Sequence, residues 1–364
     1  MGSRAAVLRG FNQPLQIEEF PLTDPAPGEV IVRIEAAGVC GSDVHMWRGR
    51  DPRTPLPLIL GHEGVGRVAR IGGEKRDLFG KALTEGDRVV WERGVMCGRC
   101  YYCVVRKQPA LCASRRTYGI SISCKEPPHL RGCYAEHIHL MPGAHLIRIE
   151  KNVDPRVLVA ATCSGATAAH GIEQAAIQPG ETVVIIGRGP LGLFALAFAL
   201  LSGAPRAVVV ANRLDEARRA LCQRMGADEV LSAEGTTLDE RVERVRALTD
   251  GLGADVVLEC TGSAKPAEEG IRYVRPYGRY LILGIATPVG RVSWLAYEDI
   301  ARKNVRVQGV WVSDTSHLYR AVQLVLSNRF PFESLVTHTF SLEDATRALE
   351  HIEGREAVKA VIVP

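Results

Sequence analysis

The sequence predicts an α/β protein: a β-rich domain joined to a doubly wound parallel-sheet domain. Three observations predict it. Short β-rich runs such as Val30–Ala36 and Gly64–Ile71, punctuated by Gly and Pro, fill the chain up to about Cys163. From Glu181 strand-like and helix-like stretches alternate, the rhythm of a parallel sheet wound by helices. The length of 364 residues exceeds what one ordinary core organises.

The alternating region reads in order. The run TVVIIG is a strand leading into a Gly-rich turn, and Leu191–Leu201 is a buried apolar helix. AVVVA is a second strand, Asp215–Met225 a helix, and DVVLEC and RYLILGIA are later strands. Asp239–Arg246 carries several charges and reads as the wet face of a helix. The tail closes on the strand-like AVKAVIV. The simplest division is a β-rich domain over 1–163, an alternating domain over 164–308, and a return segment over 309–364 completing the first.

With 46% hydrophobic and 24% charged residues, the chain can bury a substantial core. A net charge of +4 with scattered Lys and Arg predicts no nucleic-acid partner. The amino terminus MGSRAAVLRGF lacks a signal peptide's apolar region, and Leu191–Leu201 is too short to span a bilayer. A cytoplasmic protein without a membrane partner is the expectation. Ten cysteines in such a chain point to metal rather than to a disulfide scaffold.

Cys97, Cys100, Cys103 and Cys112 lie in CGRCYYCVVRKQPALC. Successive Cys-x2-Cys steps aim two sulfurs at one centre, and a fourth closes a tetrahedral structural zinc. Such a closed shell leaves no position for substrate. Cys124 and Cys133 read as small buried residues. A second group is dispersed: Cys40 in AGVCGSDVH, His62 and Glu63 in LGHEGVG, and Cys163 in ATCSGAT. Taken singly, each is more often a packed residue than a ligand. Taken together, two thiolates and an imidazole would leave one zinc position open.

Gly187-Arg188-Gly189-Pro190-Leu191-Gly192 fits G-x-G-x-x-G between a predicted strand and a predicted helix, the context that makes this motif informative. It would cradle a dinucleotide pyrophosphate at the helix amino terminus. The second strand then ends in Val210-Ala211-Asn212-Arg213, without the acidic residue that binds an NAD ribose. Arg213, with Arg218 one turn into the next helix, suits a 2′-phosphate, so NADP stands ahead of NAD.

The segments GVCGSDVH, GHEGVGRV, GDRVV, CGRCYYC, GCYAEH and the later glycine turn occur in an order that resembles the zinc-containing medium-chain dehydrogenases, around sorbitol, threonine and alcohol dehydrogenases. The resemblance covers essentially the whole chain. It implies a GroES-like catalytic domain carrying two zinc ions, one catalytic and one structural, and a Rossmann domain binding NAD(P). It further implies Cys40, His62 and Cys163 as catalytic zinc ligands, with Glu63 beside the metal and Asp43 orienting the histidine. Ser42 and His45 match the family's proton relay, and Trp47 falls where the family has a pocket wall, a packing role being the alternative. A small alcohol or carbonyl substrate and a homodimer or homotetramer are implied as well. Two departures stand out. Polyol-type relatives carry glutamate where this chain has Cys163, which moves the expectation away from sorbitol. Eight residues separate Cys103 from Cys112, one more than the family's usual spacing.

Overall fold

The computed structural model describes residues 2–212 and 214–364. The chain packs as two units. One comprises the residues up to Cys163 with Asp314–Asn328 and Phe332–Pro364; the other comprises Ser164–Ser313 with Arg329–Pro331.

The first unit is built on a seven-stranded sheet. Its central strand, Val30–Val39, buries nearly every side chain because both of its faces are covered. Glu63–Ile71 and His137–Leu140 pair antiparallel with it, and Lys359–Ile362 joins it from the far end of the chain. Register decides what meets: Gly38 faces Glu63, and Val39 faces Ala360. A separate three-stranded sheet of Gln16–Pro21, Gly2–Leu8 and Leu58–Ile59 closes the core, where Trp91, Tyr118 and Tyr134 are buried. The helix Gly41–Trp47 leaves the end of Val30–Val39, so whatever follows Cys40 is held at a strand-to-helix corner.

The second unit carries six parallel strands. The first in sequence, Thr182–Ile186, sits in the middle, between Arg206–Ala211 and Ala254–Glu259. The winding therefore reverses beside it, the switch point at which such sheets bind ligands. The apolar helix Pro190–Leu201 is buried along most of its length. Leu238–Ala247 turns its charges outward apart from Arg241, which is buried. Its guanidinium is satisfied by Tyr273 Oη at 2.9 Å and Glu269 at 2.8 Å, which is how one member of the expected wet face tolerates the core. Among the described residues no helix is long and apolar enough to cross a membrane.

Candidate active site

Cys40, His62, Glu63 and Cys163 each offer one ligand atom, and these atoms all lie within 4.8 Å of one another. The sheet register and the turn Val159–Thr162, which ends at Cys163, bring them together. The glycines of GHEG make the approach possible. Gly61 holds φ at +89°, and a Cβ there would sit 2.4 Å from Tyr134 Cδ1. At Gly64 a Cβ would meet Trp91 Cζ2 at 2.4 Å.

Asp43 orients the histidine. Its Oδ1 lies 3.1 Å from His62 Nδ1, while Oδ2 accepts from Cys40 N at 2.8 Å and from Tyr134 Oη at 3.0 Å. A carboxylate accepting on both oxygens requires the proton on Nδ1, which turns Nε2 toward the other donors. The set attracts positive charge. Burial lowers the His62 pKa, but the charge and hydrogen bond of Asp43, followed by Cys40, raise it to about 10. Contact with the Cys163 sulfur, opposed by desolvation and reinforced by His62, holds the Cys40 thiol well below its ordinary range. The donor chemistry fits a zinc ion. Glu63 Oε1 is buried without a hydrogen-bond partner among the described residues, an oxygen that a cation would satisfy.

Three residues that sequence reasoning missed complete the surroundings. Tyr134 supports Asp43, as above. Lys359, buried on the returning strand, pairs its ammonium with Glu63 Oε2 and donates to Val39 O at 3.1 Å. Arg93, also buried, donates from Nη1 to the Cys163 sulfur. The lone lysine inside AVKAVIV was a readable signal, since a charge within an apolar strand needs a partner. Arg93 and Tyr134 carried none.

Ser42 Oγ lies 3.4 Å from His62 Nε2, the ring nitrogen that faces the other ligand atoms. His45 is half-buried, and its Nδ1 has no hydrogen-bond partner among the described residues. Burial, then Arg50, push its pKa below the ordinary imidazole value. Trp47 is buried, donates from Nε1 to Gln13 O at 2.6 Å and lies under Arg48, contacts that give it a packing role.

The sulfurs of Cys97, Cys100, Cys103 and Cys112 also lie within 4.8 Å of one another. Cys97 N donates to Cys112 Sγ at 3.4 Å, and the Arg99 N–H is the main cause drawing the Cys97 thiol down to about 6. Four thiols converging under backbone N–H groups suit a closed zinc shell. The long Cys103–Cys112 spacing is taken up by a left-handed Lys107 and the short turn Pro109–Leu111. Cys124 and Cys133 are buried outside both groups.

In the second unit Gly187 ends the strand at φ +122°, and Gly189 caps the helix that opens on Pro190 and Leu191. A Cβ on Gly192 would strike Gly187 O at 2.1 Å, whereas one on Gly189 would meet nothing within 4 Å. The first and third glycines therefore serve the turn, and the second keeps space open before the helix. Arg188 Nε donates to Asn212 O at 2.9 Å, tying the glycine turn to the end of the second strand. Arg213 lies outside the described residues.

Comparison with known proteins agrees with this arrangement. Residues 26–151 match the alcohol dehydrogenase GroES-like domain, and residues 190–327 match the zinc-binding dehydrogenase domain. The 5-exo-hydroxycamphor dehydrogenase of Pseudomonas putida is 34% identical over 99% of this chain and 98% of its own. Among solved structures, an alcohol dehydrogenase from Thermotoga maritima superposes with a TM-score of 0.96 at 45% identity, covering all of both chains. A protein of Sinorhizobium meliloti 1021 described as a zinc-binding dehydrogenase bound to NADP does so with 0.87 at 26%, again over all of both chains. The chain belongs to the zinc-containing medium-chain alcohol dehydrogenases, a GroES-like domain joined to a Rossmann domain. It is an oxidoreductase of the class that acts on CH–OH groups with NAD(P).

Proposed function

We propose that the chain interconverts an alcohol and its aldehyde or ketone with NADP in preference to NAD, using Cys40, His62 and Cys163 as ligands of a catalytic zinc. The observation that carries this reading is the donor set itself: two sulfurs, one imidazole and a carboxylate within 4.8 Å, in contrast to the four sulfurs of the other group. Zinc bound there would supply a Lewis acid that stabilises negative charge on the substrate oxygen. The nicotinamide would supply the hydride acceptor. Asp43 fixes the His62 ring, and Glu63 stands beside the ligands as a further carboxylate. Ser42 and His45 would pass the carbinol proton to solvent, the hydroxyl handing it to the imidazole through the nicotinamide-ribose hydroxyl. The structural zinc belongs to Cys97, Cys100, Cys103 and Cys112.

The depressed His45 keeps its ring neutral, and so able to accept a proton, at neutral pH. His45→Gln should cost up to about a hundredfold in kcat/KM at neutral pH. The loss should shrink as pH rises and solvent takes the proton unaided. A pH profile parallel to that of the parent would remove His45 from the relay.

Gly187, Gly189, Pro190, Leu191 and Gly192 would hold the pyrophosphate. Gly189→Ala should fold normally, since nothing lies within 4 Å of the added atom, yet raise the nucleotide Kd at least tenfold, about 1.4 kcal/mol. Gly192→Val should instead lower the melting temperature. Titration and melting of the two variants check the contrast. We assign recognition of the adenosine ribose to Asn212 and Arg213, and the NADP bound to the Sinorhizobium meliloti relative supports the preference for NADP. A homodimer or homotetramer is supported by the edge strand Arg306–Gly309, exposed along its whole length.

The deciding experiment is a spectrophotometric screen of zinc-loaded enzyme with each nucleotide. Apolar secondary alcohols head it because of the hydroxycamphor relative, followed by primary alcohols, polyols and threonine. Turnover faster with NADP is expected. Absence of reduced nicotinamide with every alcohol would overturn the reading.

A further inference from the structure

Arg93 is a buried cation that the mechanism above does not use, and it touches one of the proposed metal ligands. We infer that Arg93 is a positioning residue whose guanidinium hydrogen-bonds the Cys163 sulfur and draws electron density from it, holding the catalytic metal more electron-poor than two free thiolates would. The inference rests on Cys163 being a ligand of that metal.

Three features support it. The first is placement. Arg93 follows the strand Arg88–Trp91 and its neighbour Glu92, which is buried and accepts from Arg115 Nη2 at 2.9 Å. Arg115 in turn donates its backbone N–H to Cys112 O at 3.1 Å. The segment carrying Arg93 is thus tied to the four-cysteine loop, which fixes the backbone from which the guanidinium reaches the sulfur.

The second is charge. The charged side chains that these contacts bring to the donor set are the cations Arg93 and Lys359 and the carboxylate Asp43, and Glu63 is itself one of the set. With two thiolates and a divalent ion the whole cluster is neutral, provided Arg93 is counted. Without it a net negative charge would be left in a low-dielectric interior, a costly arrangement.

The third is chemistry. A hydrogen bond to a charged acceptor is strong and polarises that acceptor. A sulfur that donates less charge to a metal leaves the metal a better Lewis acid, and groups around a metal tune it in this way.

Cadmium-113 NMR of the cadmium-loaded enzyme tests this, because the four-sulfur and two-sulfur sites give separate resonances and thiolate donation moves them downfield. In Arg93→Met the two-sulfur resonance should move downfield while the four-sulfur resonance stays in place as an internal reference. With zinc restored, kcat/KM should fall roughly tenfold. Arg93→Lys keeps the charge but not the planar fork and should shift the same resonance by less. An unmoved two-sulfur resonance in Arg93→Met overturns the inference. So does an unmoved resonance in Arg93→Lys should the methionine variant fail to fold. A parent enzyme without any two-sulfur resonance overturns the metal-site reading itself, and the Arg93 inference with it.

Discussion

Cys163→Ala should abolish alcohol oxidation while leaving nucleotide binding intact. A Lewis acid at a reacting oxygen is worth several kcal/mol, and losing about 4 kcal/mol costs roughly a thousandfold in rate. Metal content should drop from about two to about one ion per chain, because the four-sulfur group shares no residue with Cys163. The variant should also lose stability, by about 1–3 kcal/mol, since the buried hydrogen bond from Arg93 Nη1 to the Cys163 sulfur is lost. Cys124→Ala is the matched control: a buried cysteine outside both groups, whose removal should leave turnover and metal content unchanged. Metal analysis, a nucleotide titration and steady-state kinetics on the two variants decide the matter. Full turnover in Cys163→Ala would withdraw Cys163 from the ligand set.

The different legibility of the two metal groups has a physical origin. Cys97, Cys100, Cys103 and Cys112 are near neighbours in sequence, so local turn geometry alone brings them to one centre. Their spacing could be read directly. Cys40, His62 and Cys163 meet only because Val30–Val39 pairs with Glu63–Ile71 and Val159–Thr162 ends against them. No periodicity carries that information, and the resemblance of GVCGSDVH and GHEGVGRV to a family supplied it instead. The alternating strands and helices of the second unit were plain, since each element announces itself over a few residues. Side chains that act through pairing register were not. Asp43 could be named, but its partner Tyr134 arrives from a distant loop. Arg93 sits in WERGVM, a segment without regular pattern. Arg241 looked like part of a solvated face and is buried, because Tyr273 and Glu269 reach it from elements that its own helix does not specify.

Lys359→Met should lower stability by about 3–5 kcal/mol, the cost of stripping the partner from a buried ion. Both side chains of the Lys359–Glu63 pair are nearly inaccessible, at 2% and 0%. Desolvation opposes the charge on Lys359, yet Glu63 and then Cys40 raise its pKa above the ordinary value, so the ammonium is retained. Space for a replacement is lacking. A Cβ on Gly38 would lie 2.0 Å from Glu63 Oε2, so the carboxylate already fills the room that strand leaves. If the cost comes from the stranded carboxylate rather than from the lost lysine stem, removing the carboxylate as well should recover most of it. Glu63→Leu combined with Lys359→Met should accordingly unfold at a urea midpoint well above that of Lys359→Met alone, because an apolar pair can replace a buried ion pair at little net cost. The double-mutant cycle measures the coupling directly. Strictly additive single effects would show that the two charges do not act as a unit. Recovery in the double variant would leave stability separable from catalysis, so that any loss of turnover could then be assigned to the missing pair rather than to unfolding.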